Sequence, residues 1–248
     1  MSGKMNLQVD AGNSFIKWRV LDAGRVVLRG REDTSNNVSM SEIDVWDGIG
    51  SVSISSVASS DVDRCLECFF RKVLPGITPF FAKSQASFGD VFNAYKVPSQ
   101  LGVDRWLAVV AGYLKYKESC FVVDCGSAIT IDVVDGFGVH QGGYILPGIE
   151  LMKRSLSSGT KRVEFAGVDG VGINYGGTTS ECVQAGVNFA MLSVFEGLFS
   201  RMEREGVKRL IVTGGDGAYA SSIFRDVEYC PDLVFDGLSL LSKGRVSC

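Results

Sequence analysis

Two short stretches of this sequence are near copies: Val9-Asp10-Ala11-Gly12 and Val123-Asp124-Cys125-Gly126. Each reads as a strand ending in an acid, then a glycine, then a second strand. Val20 and Val134 fall at matching offsets. A duplicated strand–Asp–x–Gly–hairpin unit restricts the chain to two halves of similar fold, because both copies must bury the same kind of strand pair. In the first copy, apolar residues alternate from Leu7 to Val9, break at Ala11-Gly12-Asn13-Ser14 and resume over Phe15-Ile16-Lys17-Trp18-Arg19-Val20-Leu21. Period-2 segments around a Gly-Asn turn make a β-hairpin. A length of 248 residues suits one large or two small domains.

Further elements follow from spacing. Strands are expected near Arg25 to Leu28, over Ser51 to Val57, from Gly76 to Ala82, over Val139 to Leu146 and over Leu210 to Thr213. Helices are expected over Asp61 to Lys72, Asp104 to Lys117, Ile149 to Leu156, Ser180 to Glu205 and Leu233 to Leu241. Thr178-Thr179-Ser180-Glu181 has capping-box spacing, and Ser157 to Asn174 reads as loop. With no low-complexity linker, the halves divide as residues 1–116 and 117–248 and join through a helix near residue 116.

Composition narrows the function. Hydrophobic residues make up 46% and charged residues 21%, which excludes a disordered or fibrous chain. Thirty glycines against five prolines fit a sheet-rich α/β protein with many tight turns. A net charge of −3 leaves no basic footprint for nucleic acid. No uninterrupted apolar run reaches the ~18–20 residues of a membrane span. The single histidine, His140, lies in a strand-turn segment and reads as a solvated turn residue, so hydrolases and zinc sites built on imidazoles are disfavoured. Seven cysteines, several inside apolar strands, point to reduced thiols in a cytoplasmic protein. Cys65 and Cys68 have metal-knuckle spacing but no second pair to complete a zinc site. Met1 to Met5 is too short and polar for a targeting segment.

Four constellations remain for chemistry. Asp10-Ala11-Gly12-Asn13-Ser14 is either an ordinary hairpin turn with a capping Asp or a phosphate cradle. In the second reading hairpin amides converge on an anion, Asp10 holds a hydrated Mg²⁺, and Lys17, seven residues on, reaches phosphate oxygens. Gly102-Val103-Asp104-Arg105 opens an apolar helix. Asp104 is its N-cap, or it accepts a substrate proton while Arg105 grips a carboxylate. Asp124-Cys125-Gly126-Ser127-Ala128 mirrors the first site, with Asp124 a candidate cation ligand. Thr213-Gly214-Gly215-Asp216 ends a strand where a base or ribose can lie on flat backbone. No Walker A motif or Rossmann fingerprint stands in context.

The ordered set resembles type III pantothenate kinase, within the superfamily of acetate and sugar kinases, heat-shock chaperone ATPases and actin. The resemblance rests on Asp10 to Lys17, Gly102 to Arg105, Asp124 to Ala128, Gly142 to Gly148, and Thr179 opening the long helix. It implies an α/β fold of two ribonuclease-H-like (actin-like ATPase) domains with mixed sheets facing a central cleft. It implies ATP-dependent phosphorylation of pantothenate to 4'-phosphopantothenate, the first step of coenzyme A synthesis. Asp10, Ala11, Gly12, Asn13, Ser14, Phe15, Ile16 and Lys17 would form the ATP phosphate loop, with Ser127 also on ATP. Asp104 would be the general base; Tyr95, Gly102, Val103, Arg105 and Thr179 would line the pantothenate site. For Thr179, a helix N-cap is the plainer role. Asp124 would bind a monovalent cation, K⁺ or NH₄⁺, beside Mg²⁺ on the nucleotide, and the enzyme would be a homodimer. Ser127 stands where the family usually has Thr, and Val97 to Leu101 departs from its Asn-Pro approach. Another small-molecule kinase of the superfamily, or a non-catalytic nucleotide-binding regulator, is the alternative.

Overall fold

The computed structural model describes residues 4–34, 38–159 and 174–244. It divides into two compact units, Met1–Lys115 with Asp232–Cys248, and Tyr116–Pro231. Lys115 to Tyr116 is therefore one crossing. The tail from Asp232 belongs with the first unit, not with the second half to which the sequence reading assigned it.

In the first unit β1 (Met5–Ala11), β2 (Phe15–Asp22) and β3 (Arg25–Asp33) form an antiparallel meander. β4 (Ile49–Ser56) and the short β5 (Phe80–Phe81) then add in parallel beyond β1, giving the order β3-β2-β1-β4-β5. Because side chains alternate, the central rows Trp18–Val9–Ile54 and Val20–Leu7–Val52 share one face. That face packs on Leu66 and Phe70 of α1 (Ser60–Val73). α1 carries Asp61 and Asp63 in its first turn and Arg71 and Lys72 in its last, complementing its dipole. The expected strand over Gly76 to Ala82 shrinks to two residues of pairing. A small ladder of β6 (Ser87–Phe88) and β7 (Val91–Phe92) precedes α2 (Val103–Tyr116), whose ten residues from Val103 to Tyr113 other than Asp104 are all buried.

The second unit repeats this plan. β8 (Cys120–Cys125), β9 (Ala128–Val134) and β10 (His140–Pro147) are antiparallel, then come α3 (Ile149–Gly159) and α4 (Thr179–Glu205). β11 (Arg209–Thr213), α5 (Gly217–Ile223) and β12 (Glu228–Tyr229) follow, and the order is β10-β9-β8-β11-β12. Phe121, Val123 and Val212 pack on Met191, Phe195 and Leu198 of α4. The expected loop from Ser157 begins as the end of α3; its residues 160–173 lie outside the described ones. α5 was not expected, because Gly-Gly-Asp-Gly reads as a turn.

Three expectations change. His140 is fully buried at the start of β10, its Nε2 2.8 Å from Asp132 Oδ1, because the turn falls earlier, at Asp135 to Gly138. The long helix α4 reaches a mean hydropathy of 1.4 over an 18-residue window, enough by length and composition to cross a bilayer. Polar residues such as Gln184 and Asn188 interrupt its apolar run, which hid this, and its buried side is the core of the second unit. The N-cap of α4 is Thr178, whose hydroxyl accepts from the Glu181 N–H in a capping box, so Thr179 is not the cap.

α6 (Leu233–Gly244) closes the chain over the polar face of the first sheet. There Arg19 is buried; its Nε donates to Gln8 Oε1 at 2.8 Å, its Nη2 to Asp236 Oδ1 at 3.0 Å and its Nη1 to Asp232 Oδ2 at 3.2 Å. Gln8 in turn donates to Ser239 Oγ at 2.8 Å, and the guanidinium lies 5.0 Å from the Phe235 ring centre. Removing Arg19 strands a buried amide and two acids, so Arg19→Ala is expected to cost about 2–4 kcal/mol. Urea unfolding measures this; a loss within experimental error would show that the clasp contributes nothing.

Candidate functional site

Each unit places an acid near the end of its central strand. In the first, Asp10 pairs across the ladder with Lys17 on β2 and Ser55 on β4, so the row Lys17–Asp10–Ser55 runs over one face. The Gly12 N–H donates to the Phe15 carbonyl at 3.0 Å and closes the turn, leaving Asn13 and Ser14 exposed. Phe15 is also exposed, whereas Ala11 and Ile16 point into the core. Burial pushes the Asp10 carboxyl up from 3.8 to about 6; Lys17 pulls it down, nearby Asp104 pushes it up, and the Ser55 hydroxyl pulls it down. Asp10 and Asp104 therefore belong to one electrostatic site within this unit.

Asp104 reaches that site because α2 starts at Val103. The acid lies inside the first turn, not before it, which removes the capping reading, and its Oδ1 accepts the Arg105 N–H at 2.7 Å. Adding a Cβ to Gly102 would bring it to 2.6 Å from that same carboxylate oxygen. Arg105 is buried, and its Nη1 donates to the Tyr95 hydroxyl at 3.1 Å. Thus Tyr95, Gly102, Val103, Asp104 and Arg105 gather around one helix start.

In the second unit Asp124 lies opposite Thr130 on β9 and Thr213 on β11. The Asp216 N–H donates to the Cys125 carbonyl at 2.9 Å, pinning the loop after β11 onto the tip of β8. A side chain on Gly214 would strike the Asp124 carboxylate and the Cys125 carbonyl, both 2.4 Å from an added Cβ. Its φ of +89° adds a second reason for glycine. Burial, with Asp124 and Asp216 beside it, drives the Cys125 thiol up to about 12, so it stays protonated. Gly148 donates to the Ser127 carbonyl at 3.1 Å, which ties the start of α3 to the same tip. Ser127 is exposed in the β8–β9 turn, and Thr179 is exposed in the first turn of α4. The sequence reading missed Ser55 and the apposition of Asp216 with Cys125. The alternating serines Ser51, Ser53 and Ser55, in phase with Asn6, Gln8 and Asp10, were the available signal.

Two sheets of the same 3-2-1-4-5 order, each with an acid and a glycine turn at its central tip, define the actin-like ATPase and sugar-kinase fold class. Solved structures share the fold. A conserved Baf family protein from Campylobacter jejuni is 23% identical and superposes with a TM-score of 0.59 over 98% of this chain and 100% of its own. A reductive activator for a corrinoid, iron–sulfur protein is 11% identical, with a TM-score of 0.50 over 99% of this chain and 62% of its own. A family model described as type III pantothenate kinase matches residues 6–201. The type III pantothenate kinase of Hahella chejuensis is 40% identical over 96% of this chain and 97% of its own length. That of Thiobacillus denitrificans is 35% identical over 98% of each. The chain belongs to the type III pantothenate kinase family.

The raised Asp10 carboxyl carries a stability consequence. Its native value lies above that of the unfolded chain, so folding favours its proton. Stability therefore falls as pH rises from about 4 to about 6, and the penalty remains in full above that window. Asp10→Asn removes the penalty. Discounted for partial exposure, the variant should be more stable than the parent by about 1–2 kcal/mol at pH 7, and equal to it below about pH 4. Thermal unfolding across this range tests the sign; a variant less stable at pH 7 contradicts it.

Proposed function

We propose that the protein transfers the terminal phosphoryl group of ATP to the primary hydroxyl of pantothenate, giving 4'-phosphopantothenate. The observation that carries this reading is the meeting of Asp104 with the Asp10–Lys17 tip in one unit, next to a buried Arg105. Phosphoryl transfer from ATP runs through a loose transition state that needs positioning and charge balance more than a strong base. A carboxylate therefore suffices, and Asp104 accepts the hydroxyl proton. Arg105, oriented by Tyr95, pairs with the pantothenate carboxylate; a guanidinium supplies a two-pronged grip on that group. Gly102 and Val103 line the helix start beside Asp104, and Thr179 is a further pantothenate contact in this reading. The turn from Ala11 to Ile16 offers backbone amides to the ATP phosphates and Lys17 offsets their charge; Ser127 is a further nucleotide contact in this reading.

The acids present suit the cations that such a reaction employs. Where Asp10 faces Lys17, Asp124 faces Thr130 on one side and Thr213 on the other, oxygen-bearing side chains of the kind a hard cation takes. Asp124 would be the residue to hold K⁺ or NH₄⁺, with Mg²⁺ carried by the nucleotide, and such ions would supply positive charge against the phosphates.

A homodimer fits the second unit's surface. Only 33% of the apolar window of α4 is buried; Phe189 on that helix is exposed, as are Tyr144 and Ile145 of β10 beside it. None of the six described cysteines is in a disulfide, as suits a cytoplasmic enzyme.

Asp104→Asn is expected to lower turnover by about 10²–10⁴-fold while ATP binding is retained. Wild-type-like turnover removes Asp104 from the base role. Light scattering on active protein should give the mass of two chains; a fully active monomer contradicts the dimer.

A further inference from the structure

We propose that Ser55 is a positioning residue for Asp10: its hydroxyl donates to the Asp10 carboxylate and fixes how that acid stands beside the nucleotide phosphates. The inference rests on the phosphotransfer reading above and deepens it.

The polar face of the first sheet is built in rows. Lys17, Asp10 and Ser55 make one; Arg19, Gln8 and Ser53 the next; Leu21, Asn6 and Ser51 the third. In the third row the β1–β4 pair is closed outright, Asn6 Nδ2 donating to Ser51 Oγ at 2.8 Å. The register makes Ser55 the same kind of neighbour to Asp10. Ser55 is fully buried, and its Oγ meets no partner at full hydrogen-bonding geometry among the described residues. A buried hydroxyl rotates to the nearest strong acceptor, because leaving it unmade costs more than the bond contributes. The acceptor is Asp10, on whose carboxyl Ser55 already exerts an acidifying pull.

The duplication supplies an independent argument. In the second unit, the residue of β11 opposite Asp124 is Thr213, also a buried hydroxyl, although its Oγ1 donates to the Pro231 carbonyl at 3.5 Å, so the parallel is one of placement. Both tips thus place a buried hydroxyl on the fourth strand beside the central acid. It also shows that a threonine fits such a position.

Three variants test the assignment by calorimetric titration with Mg·ATP. Ser55→Ala should weaken binding about tenfold, the worth of one hydrogen bond to a charged group. Ser53→Ala, equally buried but one row away opposite Gln8, should bind like the parent. Ser55→Thr, which keeps the hydroxyl, should stay within about threefold of the parent. In turnover, Ser55→Ala should raise KM for ATP and leave KM for pantothenate unchanged. Parental binding by Ser55→Ala, an equal loss in Ser53→Ala, or Ser55→Thr behaving like the alanine variant would overturn the proposal. Because the calorimetry reads nucleotide alone, nucleotide binding without pantothenate phosphorylation by the parent would overturn the functional reading and leave the role of Ser55 standing.

Discussion

Burial drives the Asp10 carboxyl toward its neutral form, and Lys17 across the ladder draws it back toward charge. This opposition is the constraint on which the first unit's site is built. An acid half-withdrawn from water at the end of a central strand is costly unless a cation or a donor faces it. The antiparallel register supplies Lys17, the parallel register supplies Ser55, and the helix start of α2 brings a second acid, Asp104. A site that tolerates two neighbouring carboxylates holds charge in reserve for a ligand, as sites for chemistry do.

The duplication is close in topology and unequal in chemistry. Both sheets run 3-2-1-4-5, and both tips end in Asp followed by a glycine turn. Yet the first hairpin sets Asp10 opposite Lys17, seven residues on, while the second sets Asp124 opposite Thr130, six residues on. The second hairpin carries no lysine or arginine at either offset: Thr130 stands opposite Asp124 and Ile131 follows it. A shared fold thereby yields one tip whose acid faces a lysine across the ladder and one whose acid faces two threonines.

The two hairpins and the longer helices were legible because short-range spacing dictates them, whereas α5 and the two-residue strands were not. Alternation over Leu7 to Leu21 fixes both strands and the face each side chain takes. The gathering of Asp104 with Asp10 was not readable from spacing, since it depends on α2 folding back over a strand laid down nearly a hundred residues earlier. His140 was misread for a related reason. Its burial follows from where the β9–β10 turn falls, and Asp135-Gly136-Phe137-Gly138 competes with Gly142-Gly143 for that turn in the sequence. The place of the tail was hidden too: Leu233 to Leu241 announces a helix, but only the buried Arg19, reaching Asp232 and Asp236, ties it to the first sheet. An arginine in the middle of an apolar strand was the clue, because a buried guanidinium requires distant acids.

The most direct measurement of the central claim is ADP release by the purified chain, coupled to a spectrophotometric readout, with ATP and Mg²⁺ and with or without pantothenate and potassium. The account requires release that depends on pantothenate and rises on addition of potassium. ADP release that ignores pantothenate, or its absence under every combination, would contradict it.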